Sequence, residues 1–157
     1  MTVTLSLILP RERGRLATLL APYFAETAPT AGIDPSERAG QLLHRKDVTA
    51  FWIHADASRV GFAIVLNLPD DRREFSEFMI LPQHRRKGLG MEAAALILNE
   101  FPGFWRMGIS HHSKGAAAFW GTRLSLMPNI RGLRDGAPFT PHQVKSFTFE
   151  ITDPAPE

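Results

Sequence analysis

The sequence predicts an α/β chain, more strictly α+β, built on a mixed, mostly antiparallel sheet with helices on both faces. Three observations carry that expectation. Between residues 48 and 80, three runs rich in β-branched and aromatic residues follow one another with only turn residues between them. After Pro82 the apolar pattern alternates between helical and strand-like segments. Before residue 44 there are two marked helix starts. The length of 157 residues, with 44% hydrophobic and 22% charged, fits one compact unit with a buried core. That unit is expected over residues 1–152, leaving 153–157 as a frayed tail.

Val3 to Leu9 reads as the first strand. Pro10 suits the first position of a helix, and Leu16, Leu19, Leu20, Tyr23 and Phe24 recur at helical spacing, so that stripe is assigned to the core. Asp34-Pro35-Ser36-Glu37 has the form of a capping box and opens a short helix through Leu42 and Leu43. Val48 to Ala55 and Val60 to Leu66 flank Asp56-Ala57-Ser58-Arg59 as a hairpin, and a second turn, Leu68-Pro69-Asp70-Asp71, leads into a strand from Arg73 to Ile80. Next come a basic glycine-rich loop, a helix over Met91 to Glu100, a strand over Trp105 to Ser110 and a helix over Lys114 to Gly121. The remainder reads as irregular except for a strand at Lys145 to Thr152.

There is no cysteine, which excludes disulfides, thiolate metal sites and cysteine nucleophiles. The short apolar run at the N-terminus precedes its basic residues, the reverse of a secretory signal, and no stretch reaches transmembrane length, so a soluble, cytoplasmic chain is expected. A net charge of +2 is too small to imply a nucleic-acid partner. Its distribution is uneven, however: no acidic residue lies between Glu100 and Asp135, and His84-Arg85-Arg86-Lys87 precedes that interval. A local positive field of this kind suits a small polyanion.

The loop Arg85-Arg86-Lys87-Gly88-Leu89-Gly90 follows a strand and opens a helix. Unpaired N–H groups at a helix start point outward, and the helix dipole favours negative charge there. Gly88 and Gly90 allow close backbone approach, while Arg85, Arg86 and Lys87 add mobile positive charge, a combination suited to a pyrophosphate. A P-loop is excluded because Gly-Lys-Ser/Thr is absent. The dinucleotide fingerprint matches Gly88-Leu89-Gly90-Met91-Glu92-Ala93 in form, but the next strand ends in Ser110-His111-His112 instead of the acidic residue that holds a ribose.

The segment Phe78-Met79-Ile80-Leu81-Pro82-Gln83-His84-Arg85-Arg86-Lys87-Gly88-Leu89-Gly90 resembles the strand and Q/R-x-x-G-x-G/A loop of the GNAT superfamily of N-acetyltransferases, with Arg85 at the first loop position. Ser113-Lys114-Gly115-Ala116-Ala117-Ala118-Phe119-Trp120 resembles that family's second motif, with Ser113 where asparagine is usual. The order of elements agrees over nearly the whole chain. The resemblance implies a sheet splayed between its fourth and fifth strands. It also implies acetyl-CoA as cosubstrate and direct transfer of the acetyl group to a small primary amine. The implied contacts are Phe78, Met79, Ile80 and Leu81 for pantetheine, the basic glycine loop with Leu89 for pyrophosphate, and Ser113, Ala116, Phe119 and Trp120 beside the cofactor. No metal is implied. Homodimers are common in the family.

Direct transfer needs a base for the amine, a donor for the oxyanion and a proton for the leaving thiolate. In the resemblance the donors are strand N–H groups, here around Met79 to Leu81. For the base there are two candidates, Glu74 and Glu77, whose odd separation puts them on opposite faces of a regular strand. Similarity to histone-type acetyltransferases favours Glu74, and similarity to a small subgroup of uncharacterised acetyltransferases favours Glu77, which is preferred. The alternative for either is a surface carboxylate paired with Arg72 or Arg73. Many family members protonate the thiolate with a tyrosine at the position held here by Trp120, which does not titrate usefully. Water, His111 or His112 then remain as the proton source.

With Glu74 and Glu77, Asp70 and Asp71 are expected to give the cleft an acidic rim suited to a cationic amine. A second reading is a catalytically silent module that binds acyl-CoA as an effector, consistent with the loss of both the motif tyrosine and the motif asparagine. RNA binding through Arg85-Arg86-Lys87 is a third reading, and it lacks a stacking motif.

Overall fold

The computed structural model describes residues 2–113 and 115–153. Lys114, the expected start of a helix, and the expected frayed tail from residue 154 onward lie outside the described residues.

Among the described residues, seven strands form one sheet: β1 Val3–Leu7, β2 Val48–Ala55, β3 Ser58–Leu68, β4 Arg72–Ile80, β5 Gly103–Ser110, β6 Ile130–Gly136 and β7 Gln143–Ile151. Their order across the sheet is β1-β2-β3-β4-β5-β7-β6. Every neighbouring pair is antiparallel except β4 and β5. Four α-helices complete the architecture: α1 Arg13–Thr27, α2 Pro35–His44, α3 Leu89–Glu100 and α4 Ala116–Ser125. The expected α+β class, the meander and the four helices hold, except that Pro10–Glu12 forms a 3-10 turn before α1 and α4 runs on to Ser125.

Strand alternation divides the buried residues between two cores, one on each face of the sheet. Leu16, Leu20 and Phe24 of α1 and Ala39 and Leu42 of α2 pack on Trp52, Phe62 and Ile64. On the other face Ala93, Ala94, Ile97 and Leu98 of α3 and Trp120 and Leu124 of α4 pack on Val65, Phe75, Trp105 and Phe147. The start of α2 is fixed as its sequence requires. Asp34 accepts from the N–H groups of Ser36 at 2.9 Å and Glu37 at 3.2 Å, and Pro35 takes the first helical position. Such a cap contributes about 1 kcal/mol.

The strand β6 departs from the sequence reading, which leaves this segment irregular. It is an edge strand in which only Ile130 and Leu133 are even half-buried among apolar residues, and its pairing with β7 shifts between Arg131 and Arg134 around Gly132 at φ +62°. Without apolar alternation, its sequence carries no strand signal.

Parallel pairing of β4 with β5 covers only Arg72↔Phe104, Arg73↔Trp105 and Glu74↔Arg106. Past that point the strands diverge, which is the expected opening between the fourth and fifth strands. The cleft below occupies this split.

Candidate functional site

The split arises beside an irregularity in β4. Its register with β3 passes from Ile64↔Glu77 to Val65↔Phe75, so Ser76 is a surplus residue, a β-bulge. Bulges bend a strand and terminate pairing. They also change its phase: the three residues from Glu74 to Glu77 count as two steps of the ladder. Both carboxylates therefore lie on the face covered by α1 and α2, opposite to Phe75 and Phe78, which pack in the other core. The expectation that Glu74 and Glu77 point to opposite faces fails for this reason.

They have different fates. Glu74 accepts from Arg106 Nε at 2.7 Å, so it already has a hydrogen-bonded partner. Glu77 lines a cleft of about 510 Å³ that runs between α1, α2, the divergent strands and α4. Its Oε2 is shielded from solvent and has no hydrogen-bond partner among the described residues. Burial pushes its carboxyl up to about 7, while the adjacent Tyr23 hydroxyl and the Arg38 guanidinium draw it down and Glu74 raises it further. Tyr23 is in turn held well above its usual range, first by burial and then by the charge of Glu77, so it remains a neutral phenol. The single tyrosine of the chain lies in the α1 stripe, as read, with its ring edge-on to Phe62 at 5.4 Å, but it also lines the cleft beside Glu77. Helical spacing identifies the buried face and says nothing of what a hydroxyl at its end meets.

Backbone geometry determines which strand donors are free. Leu81 donates to the Val60 carbonyl at 2.8 Å, so its N–H is not available. In an antiparallel ladder alternate residues turn the same way. With Gly61↔Ile80 and Phe62↔Met79 as register pairs, Met79 therefore turns towards β3 as Leu81 does, whereas Phe78 and Ile80 turn their N–H groups towards the gap. The Ile80 carbonyl follows the same direction and accepts from Arg85 Nε at 2.7 Å. Of the expected stretch Met79 to Leu81, only Ile80 offers a free donor; the Phe78 N–H also turns into the gap, where it meets the Tyr23 hydroxyl oxygen.

Arg85 does not reach into the phosphate loop through its side chain, because its Nη2 also pairs with Glu26 of α1 at 3.1 Å. It ties the loop to the end of β4. Arg86 and Lys87 are exposed, and no carboxylate pairs with them among the described residues. Arg86 at φ +64° and Gly88 at φ +78° turn the backbone left-handed just before α3. The first helical hydrogen bond is Glu92 N–H to the Gly88 carbonyl, which leaves the N–H groups of Leu89, Gly90 and Met91 unpaired at the helix start. A Cβ at Gly90 would sit at ordinary contact distance from Ile80 and Phe78, 3.6 and 3.7 Å, so this glycine packs the helix start onto β4. Leu89 contributes its N–H while its side chain is buried in the core.

On the opposite side of the gap, Ser113, Ala116 and Trp120 line the cleft. Trp120 is buried and stands edge-on to Phe78, with ring centroids 5.5 Å apart, and edge-on to Phe119 at 5.1 Å. Phe119 itself faces outward under Arg123 and does not line the cleft. His111 and His112 also stay outside: β5 ends at Ser110, and both sit in the exposed turn that follows. The histidine that does line the cleft is His142, in the loop between β6 and β7, whose carbonyl accepts from the His111 N–H at 3.1 Å. Asp70 and Asp71 occupy the exposed turn between β3 and β4, at the far end of β4 from the opening. The expected acidic rim is absent: Glu77 is the one carboxylate lining the cleft among the described residues, and Arg38 lines it too. Among the described residues no group of three His, Asp or Glu side chains is placed to hold a metal ion, and no helix is long and apolar enough to cross a membrane.

The architecture is that of the GNAT acetyltransferases. An acetyltransferase from Thermus thermophilus superposes with a TM-score of 0.69 at 19% identity, over 97% of each chain. The PaiA N-acetyltransferase from Thermoplasma acidophilum in complex with coenzyme A gives 0.64 at 12% identity, over 96% of this chain and 99% of that one. The aminoglycoside acetyltransferase AAC(6')-Ib in complex with coenzyme A gives 0.68 at 15% identity, over 96% and 95%. No family model matches the chain, and no curated protein matches it by sequence.

Proposed function

We propose that the chain is an acetyl-CoA-dependent N-acetyltransferase that transfers the acetyl group directly to a primary amine on a small molecule. One observation carries this reading. A single split in the sheet lies beside a helix start with unpaired N–H groups, a free strand N–H at Ile80 and a carboxyl whose pKa is raised to about 7.

In this reading the N–H groups at the start of α3 take the pyrophosphate, with Arg86 and Lys87 adding positive charge. The N–H of Ile80 faces the pantetheine arm and the thioester carbonyl, where one such donor is worth about 3 kcal/mol, and the Phe78 N–H, shared with the Tyr23 hydroxyl, lies beside it. Phe78, Ala116 and Trp120 form the apolar wall. Bound acetyl-CoA supplies the acyl group. Glu77 removes the proton from the ammonium of the acceptor, since a base with its pKa near the working pH is the most effective. Tyr23 is a positioning residue that steadies Glu77. Trp120 offers no titrating group, so the thiolate takes its proton through water.

Thermal melting with acetyl-CoA, CoA, NAD and ATP tests the cofactor. At a hundredfold excess over Kd, acetyl-CoA and CoA should each add about 2.7 kcal/mol, and NAD and ATP nothing. A rise with NAD alone, or with none of the four, would overturn the reading. Release of CoA in the presence of an amine panel then tests transfer. The replacement of the motif tyrosine by Trp120 and of the motif asparagine by Ser113 favours a second reading, a silent acyl-CoA-binding module. That module would bind acetyl-CoA equally well and release no CoA with any amine.

A further inference from the structure

The charge inside the cleft narrows the acceptor. Of the four acidic residues near β4, Asp70 and Asp71 lie at its far end and Glu74 is satisfied by Arg106. That leaves Glu77 facing Arg38 of α2 across the same cavity. Arg38 is half-buried, its guanidinium rests over the Phe24 ring at 5.6 Å, and no carboxylate lies within ion-pair distance of it among the described residues. A guanidinium in a cavity with no carboxylate in ion-pair contact is a recognition element for an anionic oxygen pair, because its fork of donors matches a carboxylate or phosphate. A polyamine would bring surplus positive charge against Arg38 and find only one carboxylate.

Resting on the acetyltransferase reading, we infer that the acceptor is an amine that also carries an anionic group, with its nitrogen at Glu77 and its carboxylate or phosphate at Arg38. Phe24, Ala28 and Ile33 line the same cavity and offer the body of the acceptor apolar contacts, beside polar ones from Thr27 and Ser76. A zwitterion of this kind leaves neither Glu77 nor Arg38 uncompensated, and burial of an unmatched charge is what such a cavity penalises most.

The test uses the full chain and matched pairs of amines: α-amino and ω-amino acids each with the corresponding amide, and a phosphorylated amine with its hydroxyl parent. Acetyl-CoA binding to the wild-type chain is measured first, since its loss sinks the underlying reading along with this one. CoA release should then favour the charged member of a pair by about tenfold or more in kcat/KM, the size of a charge-assisted hydrogen bond. Arg38→Gln should reduce that preference to within about twofold, mainly through KM, and Arg38→Lys should keep part of it. Neutral members that match or exceed the charged ones, or a preference that survives Arg38→Gln, would overturn the inference while the acetyltransferase reading stands. If acetyl-CoA binds but no pair turns over, saturation-transfer NMR on the CoA complex decides. Equal signals from charged and neutral members refute the inference, and a signal from the charged member that disappears in Arg38→Gln supports it.

Discussion

Arg106 donates to Glu74 at 2.7 Å at the last register that β4 and β5 share. The ion pair sits at the vertex of the split sheet and gives one of two neighbouring carboxylates a partner, while the charge of Glu74 still acts on Glu77. Arg106 is 37% exposed, so the pair adds little to stability, under about 1 kcal/mol. The charge of Glu74 matters more for Glu77, whose proton it helps to retain. Glu74→Gln should therefore lower the inflection of the pH–rate profile and leave melting nearly unchanged. A profile that does not move would mean that Arg106 already cancels the influence of Glu74.

Glu77→Gln should separate activity from stability. Loss of the base should lower kcat by about a hundredfold or more and flatten the rise in rate centred near pH 7. Stability should change in the opposite direction. The carboxyl of Glu77 is raised from 4.5 to about 7, so the fold favours its protonated form; that contribution is full below about 4.5 and lost as pH rises through about 7. Removing the ionisable group should thus stabilise the protein at pH 8, by at most roughly 3 kcal/mol, and change little at pH 4. Thermal melts of both proteins across this range provide the check.

Tyr23→Phe removes the hydroxyl that draws the carboxyl of Glu77 down. The pH–rate inflection should move upward. An inflection that stays in place, or moves down, contradicts the positioning role.

Gly88→Ala tests the loop. The added Cβ would meet nothing within 4 Å, so the substitution acts only through the left-handed φ of +78°. An L-residue there costs roughly 1–2 kcal/mol. If the loop relaxes to avoid that strain, the helix start loses its aim and the Kd for CoA should rise about tenfold, measured by calorimetry. Gly61→Ala probes the other side of β4 and should be harsher, since its Cβ would collide with the Met79 carbonyl. A loss of about 3 kcal/mol in urea unfolding is expected.

What the sequence reveals follows what its local signals encode. The cap at Asp34, the stripe from Leu16 to Phe24, the meander and the glycine loop are short-range patterns, and each appears in the fold where expected. The site is legible only in its backbone: Gly88, Gly90 and the strand before them can be placed, because turns and helix starts are local. Side-chain partners are not legible. Arg85 reads as a phosphate ligand until Glu26, 59 residues away in the chain, is found against it. Arg38 and His142 lack any local mark, and both reach the cleft through tertiary packing. Alternation misplaces the faces of Glu74 and Glu77 because it presumes a regular strand, and a bulge has no signature in residues as ordinary as Phe75-Ser76-Glu77.

Ser76 has a consequence beyond the direction of one carboxylate. Two strands that begin side by side in register normally zip to their ends, and here a single surplus tooth stops the zip. Deleting Ser76 would leave every side chain beyond it on its present face, since the surplus residue is the one removed. The change would be mechanical: a straightened β4 could continue pairing with β5, and the amide of Ile80 would pass from exchangeable to protected in hydrogen exchange. A protein of nearly identical composition, with Glu77 and Trp120 intact, would then have a seam where it now has an opening.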